Sequence, residues 1–590
     1  MFGVDWRLSE RRYQFSEEAA FRVPLADGNH LQGVLFRPRT DEPVPVLLSV
    51  HAYNNEYQTA PIRPTGFGYQ RGWIEAGDPT FFARRGYAHA ILNVRGIGAS
   101  SGEFQAMGRR EVLDVAEAIE WLAGQPWCSG QVGMFGVSYF ASIQIHVAML
   151  RPPSLRAIFA PFGLTDFYRD MWYHGGILNH RFLLQWKDKF DNVRYQSSVR
   201  RQLGEDSYRV AVAKALADEE IAEVPQLVEA LRDPVGGNGL VADIVLQPLD
   251  CPFHEERRVD YRATEVPAYL GACWGLFGLH LPAAFRSFES WRGPKKLLVG
   301  PALYLDRPFY QLHLEALRWF DHWLLGNDTG FMEEAPVRLF LPGADTWLEA
   351  ASWPLPQTRW TPFLLHEQGL LSEHELWPGE HSTGFEDSPF GHGEAVFLSP
   401  PLVEETDILG PMTLDLHLST TDREALVFAS VFDRFPDGRE EELTRGWLRA
   451  SSAELDPQRS RPWRPEPLLK ARRPLEPGEV YRLQVALAPG ARRMRPGERL
   501  GLRIKAADDE LPPDAIRGAG YGHLQRSTAA RLRIHHSEAH PSTLNVPVVR
   551  GNVLGTFLSG GQLPPAVGPL PMAKFRQPKG GAGSGPSSPS

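Results

Sequence analysis

The sequence predicts an α/β domain followed by an all-β domain. In the first third of the chain, short apolar runs alternate with amphipathic helical segments, as in a sheet with crossover helices. After Gly326, short segments that often alternate apolar and polar residues lie close to Pro and Gly turns, which is typical of an antiparallel sandwich or jelly roll. At 590 residues the chain also exceeds the size of a single hydrophobic core.

The α/β region is predicted from strand and helix patterns. We expect strands, in chain order, at Val44–Val50, Tyr87–Val94, Gln131–Val137, Val266–Ala272 and Lys296–Val299. We expect helices at Arg110–Leu122, with its acidic residues on the face opposite the apolar one, at Ser142–Leu150 and at Tyr310–Leu325. This pattern predicts a sheet with helices between its strands.

Residues 152–258 interrupt this pattern. They are rich in aromatic residues and then carry amphipathic helical patterns at Tyr208–Ala217 and Ala222–Leu231, which predicts a helical cap. The later strands are expected at Val337–Leu341, Met412–Ser419, Leu426–Asp433, Val480–Ala488 and Leu500–Lys505. We therefore divide the chain into an α/β core (1–151 and 259–328), a cap (152–258), a β-sandwich (329–558) and a disordered tail rich in Gly, Pro and Ser (559–590).

Composition excludes several classes of protein. The formal charge is -9 and no Lys/Arg run forms a basic patch, so we expect no nucleic-acid partner. The three cysteines form no CxxC pair, which argues against a disulfide framework and a structural zinc site. We find no signal peptide and no apolar run long enough for a membrane helix. We therefore expect a cytoplasmic protein without metal, cofactor or membrane partner, and a homo-oligomer is left open.

The segment Gly136-Val137-Ser138-Tyr139-Phe140 is the candidate chemical motif. A nucleophile elbow places a serine in a strained turn between a strand and a helix, with small residues on either side. Gly136 is the small residue before the serine, but Phe140 and the alanine after it make the match to G-x-S-x-G partial. The alternative is a glycine–serine turn without chemistry. The predicted strand before Ser138 and helix after it favour an elbow, and hence an α/β-hydrolase fold.

The sequence around the elbow also resembles a known family. GQVGMFGVSYFA, preceded by IEWLAGQPWCSG, is similar to the nucleophile region of the cocaine esterase / X-Pro dipeptidyl-peptidase (CocE/NonD) hydrolases. Other matching segments, in order, are LADGNHLQGVLFRP, VLLSVHAY, ILNVRGIGASSGEF, APFGLTDFYRDMWYHGG, LRWFDHWLLGND, FLSPPLVEETDILGPMTLDLHLSTT, LTRGWLRAS and MRPGERLGLRI. The resemblance covers nearly the whole chain, and it implies a capped α/β-hydrolase domain followed by a jelly roll of the galactose-binding-like kind.

The resemblance implies a serine hydrolase mechanism. In that mechanism a serine attacks an ester or amide carbonyl, a histidine takes the proton and an aspartate orients the histidine. Ser138 matches the nucleophile and Tyr53 matches the tyrosine whose hydroxyl helps to form the oxyanion hole. The backbone N–H of Tyr139 would be the second oxyanion donor. The alternative for Tyr53 is an ordinary aromatic residue at a strand end. A small ester or amide, or a short peptide, is the implied substrate.

Two positions depart from the family's pattern. Leu276 stands where the family has its aspartate, after Trp274. Tyr304 stands where the family's histidine closes a Gly-Pro-Trp-x-His turn, which here begins at Gly300 and Pro301. Leucine cannot accept the imidazole proton, and a tyrosine with a pKa of about 10 is a poor base at neutral pH. Removing members of a triad costs several orders of magnitude in rate.

Other residues near these positions are candidate replacements for the missing groups. His280, expected on the loop after the acid strand, is a better candidate base than His313, which falls in a helical pattern typical of a surface or packing residue. The remaining candidates near these positions are His51 and Asp306. Pocket lining or simple packing is the expected role of the cap residues Phe159, Phe162, Phe167, Trp172, Tyr173, His174 and His180.

Three hypotheses follow. The first is a serine hydrolase or acyltransferase with Ser138 as nucleophile, whose base is replaced by His280, by substrate or by Tyr304. The second is a catalytically inactive relative that binds a ligand or a partner, which the loss of both proton-handling positions favours. The third, which has less support, is a non-hydrolytic enzyme that uses the oxyanion hole without an acyl-serine.

Overall fold

The computed structural model describes residues 8–59, 72–190, 195, 197–232, 239–301, 312–508 and 521–551. The predicted tail, Tyr304 and Asp306 lie outside the described residues. Within the ranges described, no helix is both long and apolar enough to cross a membrane.

The first part of the chain supplies six strands and four helices. The strands are β1 (Phe15–Pro24), β2 (His30–Pro38), β3 (Val44–His51), β4 (Ala88–Asn93), β5 (Cys128–Phe135) and β6 (Leu155–Pro161). The helices are α1 (Asn55–Thr59), α2 (Pro79–Ala83), α3 (Arg109–Ala123) and α4 (Tyr139–Ala148). Helix α4 begins three residues earlier than predicted, because the chain turns into it directly after Ser138.

The prediction for the acidic residues of α3 is partly wrong. Glu111 and Asp114 are buried and do not lie on a solvent-facing side. Asp114 accepts two hydrogen bonds from the Arg95 guanidinium, at 2.6 and 2.7 Å. Glu111 accepts hydrogen bonds from groups close to Ser138 that are described below. Besides Arg110, four residues before Asp114, the buried carboxylates therefore take donors such as Arg95 from outside the helix, which the helical pattern alone does not reveal.

The segment between β6 and the next strand of the main sheet is mostly helical. It holds a short hairpin of β7 (Tyr173–His174) and β8 (Ile177–Leu178), a π-helical turn at Tyr168–Trp172 and a 3₁₀ turn at Tyr261–Ala263. Its helices are α5 (His180–Lys187), α6 (Ser198–Leu203), α7 (Glu205–Leu216), α8 (Glu219–Ala222), α9 (Pro225–Arg232), α10 (Gly239–Val245) and α11 (Pro252–Glu255). The single helix predicted over Ala222–Leu231 is wrong, because Pro225 lacks an N–H and starts a new helix.

The chain then completes the main sheet. The added elements are β9 (Ala268–Cys273), α12 (His280–Ser290), β10 (Lys295–Gly300), α13 (His313–Leu325), a 3₁₀ turn at Phe331–Glu333, β11 (Val337–Leu341) and β12 (Thr346–Ala350). The ten-stranded sheet has the order β1-β2-β4-β3-β5-β6-β9-β10-β11-β12. The strands from β4 to β11 pair in parallel, so their carboxyl ends meet at one edge.

Both faces of this sheet are buried, which explains why its strands are apolar at consecutive positions. In β6, Ile158 and Ala160 face the core that holds α3, α4 and α12. Ala157 and Phe159 face the opposite core, which holds the apolar side of α13. The sheet is therefore covered by helices on both sides, and the predicted α/β class is confirmed.

The remaining strands form two sheets that share one hydrophobic core. They are β13 (Arg359–Leu365), β14 (Leu371–Ser372), β15 (Ser382–Ser388), β16 (Gly391–His392), β17 (Glu394–Leu398), β18 (Thr406–Thr420), β19 (Leu426–Arg434), β20 (Glu440–Arg449), β21 (Tyr481–Met494), β22 (Arg499–Lys505), β23 (Ala530–Ser537), β24 (His540–Pro541) and β25 (Thr543–Arg550), with a 3₁₀ turn at Ala450–Ser452. One sheet has nine strands and the other four, β17-β22-β19-β20. A C-terminal all-β domain is confirmed; its jelly-roll connectivity stays a prediction.

The helical segment and the β domain share buried contacts. The Arg449 guanidinium, in β20, donates two hydrogen bonds to Glu220 in α8, at 3.1 and 2.5 Å. The Arg449 backbone N–H donates to the Gly175 carbonyl at 2.8 Å. A Cβ at Gly175 would lie 2.0 Å from the Trp447 carbonyl oxygen, so this contact between backbones requires glycine.

Candidate active site

Ser138 lies in a strained turn at the carboxyl edge of the main sheet, between β5 and α4. Its backbone has φ 61° and ψ -119°, a conformation that a non-glycine residue adopts at an energetic cost and that is concentrated at functional sites. Gly136 has φ 138°, and a Cβ there would lie 2.5 Å from Phe140 Cβ and 3.1 Å from the Glu75 carbonyl oxygen. Ser138 is half-buried, whereas Val137 and Tyr139 are buried. The geometry is that of a nucleophile elbow.

Tyr53 follows β3 and lies against Ser138. Its phenol lies close to the side chains of Ser138 and Trp186. Its ring stacks on Phe190 at a centroid distance of 5.7 Å. Burial, and next the charge of Glu75, raise the pKa of the Tyr53 hydroxyl well above its usual value. The phenol therefore stays protonated and able to donate, as an oxyanion-hole donor must.

Tyr139, directly after Ser138, is held by a buried carboxylate. Its hydroxyl donates to Glu111 Oε1 at 2.5 Å, and the Met107 backbone N–H donates to Glu111 Oε2 at 3.0 Å. Burial raises the pKa of Glu111 to about 7. The Tyr139 ring also meets the Tyr53 ring edge-on at 5.6 Å. The Tyr139 side chain therefore packs against Tyr53, whose hydroxyl is the other candidate oxyanion donor.

The position expected for the acid lies farther along the same edge. Strand order places β6 and then β9 beside β5, and neighbouring strands are about 4.8 Å apart. Leu276, after β9, is half-buried and packs into the core around α13. It brings no polar atom to the acid's place. Tyr304, after β10, lies outside the described residues.

His280 is not on a loop, as the sequence predicted, but is the first residue of α12. Its ring meets Phe162 edge-on at 5.8 Å. Among the described residues, Tyr53 lies close to the Ser138 side chain and no histidine ring is seen hydrogen-bonded to the Ser138 hydroxyl. A base role for His280 stays a prediction.

The other histidines considered have structural partners. His51 stacks on Phe140 at 4.7 Å and accepts the Tyr53 backbone N–H at 3.2 Å; burial lowers its pKa to about 3. His313 Nε2 accepts the Asp78 backbone N–H at 3.0 Å, in agreement with a packing residue. His174 Nδ1 lies 2.8 Å from His523 Nε2 in the β domain. Burial also lowers the pKa of His174 to about 3 and that of His180 to about 4.

The aromatic residues named from the sequence are all buried. Phe159 lies in β6 and stacks on Tyr269 at 4.4 Å, so it belongs to the sheet core and not to the cap. Tyr173 donates to the Ile244 carbonyl at 3.0 Å. Trp186, which contacts Tyr53, was missed; no sequence pattern distinguishes it from the other tryptophans. Among the described residues, no group of three or more His, Cys, Asp or Glu side chains could hold a metal ion.

Comparison with protein families matches two parts of the chain. Residues 27–303 match the X-Pro dipeptidyl-peptidase (S15 family) domain. Residues 329–545 match the X-Pro dipeptidyl-peptidase C-terminal non-catalytic domain. The chain belongs to this family of α/β-hydrolases, as its motifs indicated.

Individual relatives are also similar to this chain along most of its length. A cocaine esterase from Rhodococcus sp. is 26% identical over 611 residues, covering 91% of this chain and 99% of that protein. A solved CocE/NonD family hydrolase from Staphylococcus aureus superposes with a TM-score of 0.73 at 23% identity, covering 91% of this chain and 94% of its own. An α-amino acid ester hydrolase superposes with a TM-score of 0.68 at 17% identity, covering 91% and 97%. The two structures show that the whole two-domain fold is shared.

Proposed function

We propose that this protein is a serine hydrolase that acts on a small ester or amide, with Ser138 as its nucleophile. The observation that carries the proposal is the strained Ser138 backbone with the protonated Tyr53 hydroxyl against its side chain. In the reaction, Ser138 Oγ bonds to the carbonyl carbon and the carbonyl oxygen becomes negative. The Tyr53 hydroxyl and the Tyr139 backbone N–H donate to that oxygen.

The proton of Ser138 needs an acceptor. The candidates are His280 after a rearrangement, Tyr304, and a basic group of the substrate. Leu276 cannot orient a histidine, so even a rescued site lacks the third member of the triad. Because triad members act as a unit, turnover should be several orders of magnitude slower than in a relative with a complete triad.

The alternative is a catalytically inactive relative that binds a ligand or partner. Leu276 favours it, because an apolar side chain in the acid's place removes the imidazole's partner. The two functions differ in whether Ser138 can be acylated or phosphonylated at all.

The deciding experiment is covalent labelling of the full chain with a fluorophosphonate, together with hydrolysis of p-nitrophenyl acetate. Ser138→Ala should abolish both reactions. Ser154→Ala, a serine hydrogen-bonded to Glu120 away from the elbow, should change neither. Tyr53→Phe should slow labelling by about a hundredfold, the effect of removing one oxyanion donor. No labelling at any pH between about 6 and about 10, which spans the histidine and tyrosine ranges, would refute the proposal and favour a binding protein.

A further inference from the structure

A strained loop lies between β4 and α3. Its residues Ala106 and Met107 have φ values of 44° and 59°, and both are buried. Within the part of the chain that the structure describes, no other two consecutive non-glycine residues have a positive φ. Such a backbone costs energy, persists only where the surrounding structure holds it, and is concentrated at functional sites. The groups that hold this loop therefore bear on its role.

Two buried charged side chains, from different elements, bind the loop. The Met107 backbone N–H donates to Glu111 Oε2, in α3, at 3.0 Å. The Arg257 guanidinium donates to the Ala106 carbonyl at 3.1 Å and to the Gln105 carbonyl at 2.9 Å. Arg257 is only 2% exposed and follows α11 in the helical segment. The loop is therefore fixed both to α3 and to the helical segment.

The Glu111 carboxylate also binds the residue that follows the nucleophile. Its Oε1 accepts the Tyr139 hydroxyl at 2.5 Å. Ser138, directly before Tyr139, has the strained backbone of the elbow. The two oxygens of Glu111 therefore connect two strained segments, the loop and the elbow. The positive charge of Arg257 acts on Glu111 as well, since it opposes the rise in the Glu111 pKa that burial causes.

We propose that Glu111 and Arg257 are positioning residues of the active site, which hold Tyr139 and thereby the backbone N–H that donates to the oxyanion. This inference rests on the proposed function, because only a reaction at Ser138 uses that N–H. The hydrogen bond from the Tyr139 hydroxyl restrains the residue after Ser138, so it limits relaxation of the strained turn. Arg257 acts through the loop and Glu111, and the helical segment therefore contributes to the geometry of the oxyanion hole.

The test combines two measurements on the full chain: fluorophosphonate labelling kinetics, and hydrogen–deuterium exchange of the peptide covering residues 136–142. Arg257→Met should lower the labelling rate constant at saturating probe at least about tenfold, and the exchange of this peptide should become faster. The probe concentration that gives the half-maximal rate should stay within about twofold of the wild type, because the lost restraint acts on the transition state.

Three variants separate the hydrogen bond from general packing. Glu111→Leu should slow labelling at least about tenfold. Glu111→Gln keeps an acceptor for the Met107 N–H and a hydrogen bond to Tyr139, so it should retain most of the wild-type rate. Tyr139→Phe removes only the hydroxyl, folds even if the other variants do not, and should slow labelling as much as Glu111→Leu. The double variant should be no slower than either single one, because both remove the same bond.

Arg318→Met is the matched control. Arg318 is also 2% exposed, and its guanidinium donates to a backbone carbonyl, that of Thr329, at 3.1 and 3.0 Å. It lies in α13, across the main sheet from α3 and α4. This variant should lower the melting temperature but leave the labelling rate constant and the exchange of residues 136–142 unchanged.

Several results would overturn the proposal. One is labelling of Arg257→Met or Tyr139→Phe at the wild-type rate. Another is exchange at residues 136–142 that is the same in Arg257→Met as in the wild type. Equal slowing in Arg318→Met would show that lost stability alone is the cause. If the wild type is labelled and the variants do not differ from it, only the positioning role is refuted. A wild type that is never labelled refutes the proposed function, and this role with it.

Discussion

The buried carboxylate of Glu111 makes stability depend on pH in a predictable direction. Its pKa is raised from 4.5 to about 7 by burial, so the folded state holds a proton that the unfolded chain has already lost. Stability from this group is fully present below the unfolded pKa and is lost as the pH rises through the folded pKa. A shift of about 2.5 units corresponds to about 3 kcal/mol, lost between pH 4.5 and 7.

Glu111→Gln imitates the protonated acid. The amide oxygen of the new glutamine can accept the Met107 N–H, and its amide NH2 can donate to the Tyr139 hydroxyl oxygen. Relative to the wild type, the variant should gain about 3 kcal/mol between pH 5 and pH 8, or roughly 6 °C in melting temperature for a large domain. Thermal melts of both proteins at the two pH values measure this gain, and other titrating groups cancel in the difference. Glu120→Gln, exposed on the same helix, is the control. A difference between variant and wild type that does not change with pH would refute the reasoning.

Two further predictions concern packing. Gly136→Ala should lose fluorophosphonate labelling, because the new Cβ would lie 2.5 Å from Phe140 Cβ and the backbone φ is 138°. The backbone strain alone is about 1–2 kcal/mol, before any clash. A variant labelled at the wild-type rate would contradict the elbow geometry. Arg449→Met should cost about 3 kcal/mol, because it leaves buried Glu220 with Arg526 alone and removes a donor from Glu424. Thermal unfolding measures that cost, and a change within 1 °C, which is under about 1 kcal/mol, would show that the ion pair is replaceable.

Much of the fold and part of the site could be predicted from the sequence. Strands such as β3 and β10 lie within one or two residues of their predicted bounds, because both faces of the sheet are buried and the apolar runs are continuous. Ser138 was identified from local features, a glycine before it and a strand and a helix on either side. These signals depend only on neighbouring residues.

The missed features depend on residues far apart in the chain. Glu111 looks like an ordinary acidic residue on a helix surface, and only the fold brings Tyr139 to it. Trp186 reaches Tyr53 only because α5 folds back over the sheet edge. His280 begins α12 and does not lie on the expected loop, and Leu279 at the N-cap position makes no side-chain cap that would mark this helix start. Tertiary packing determines these positions and contacts, and the hydrophobic periodicity of a single segment contains no information about that packing.

The contact between Gly175 and Arg449 also determines how the helical segment could separate from the β domain. If the helical segment separated from the β domain, Glu220 and Arg449 would have to be resolvated and the backbone contact at Trp447 would be lost. Amides on α8 and on β20 should therefore exchange with deuterium at similar rates, in one cooperative unit. The helical segment should therefore not swing away from the β domain as a separate body.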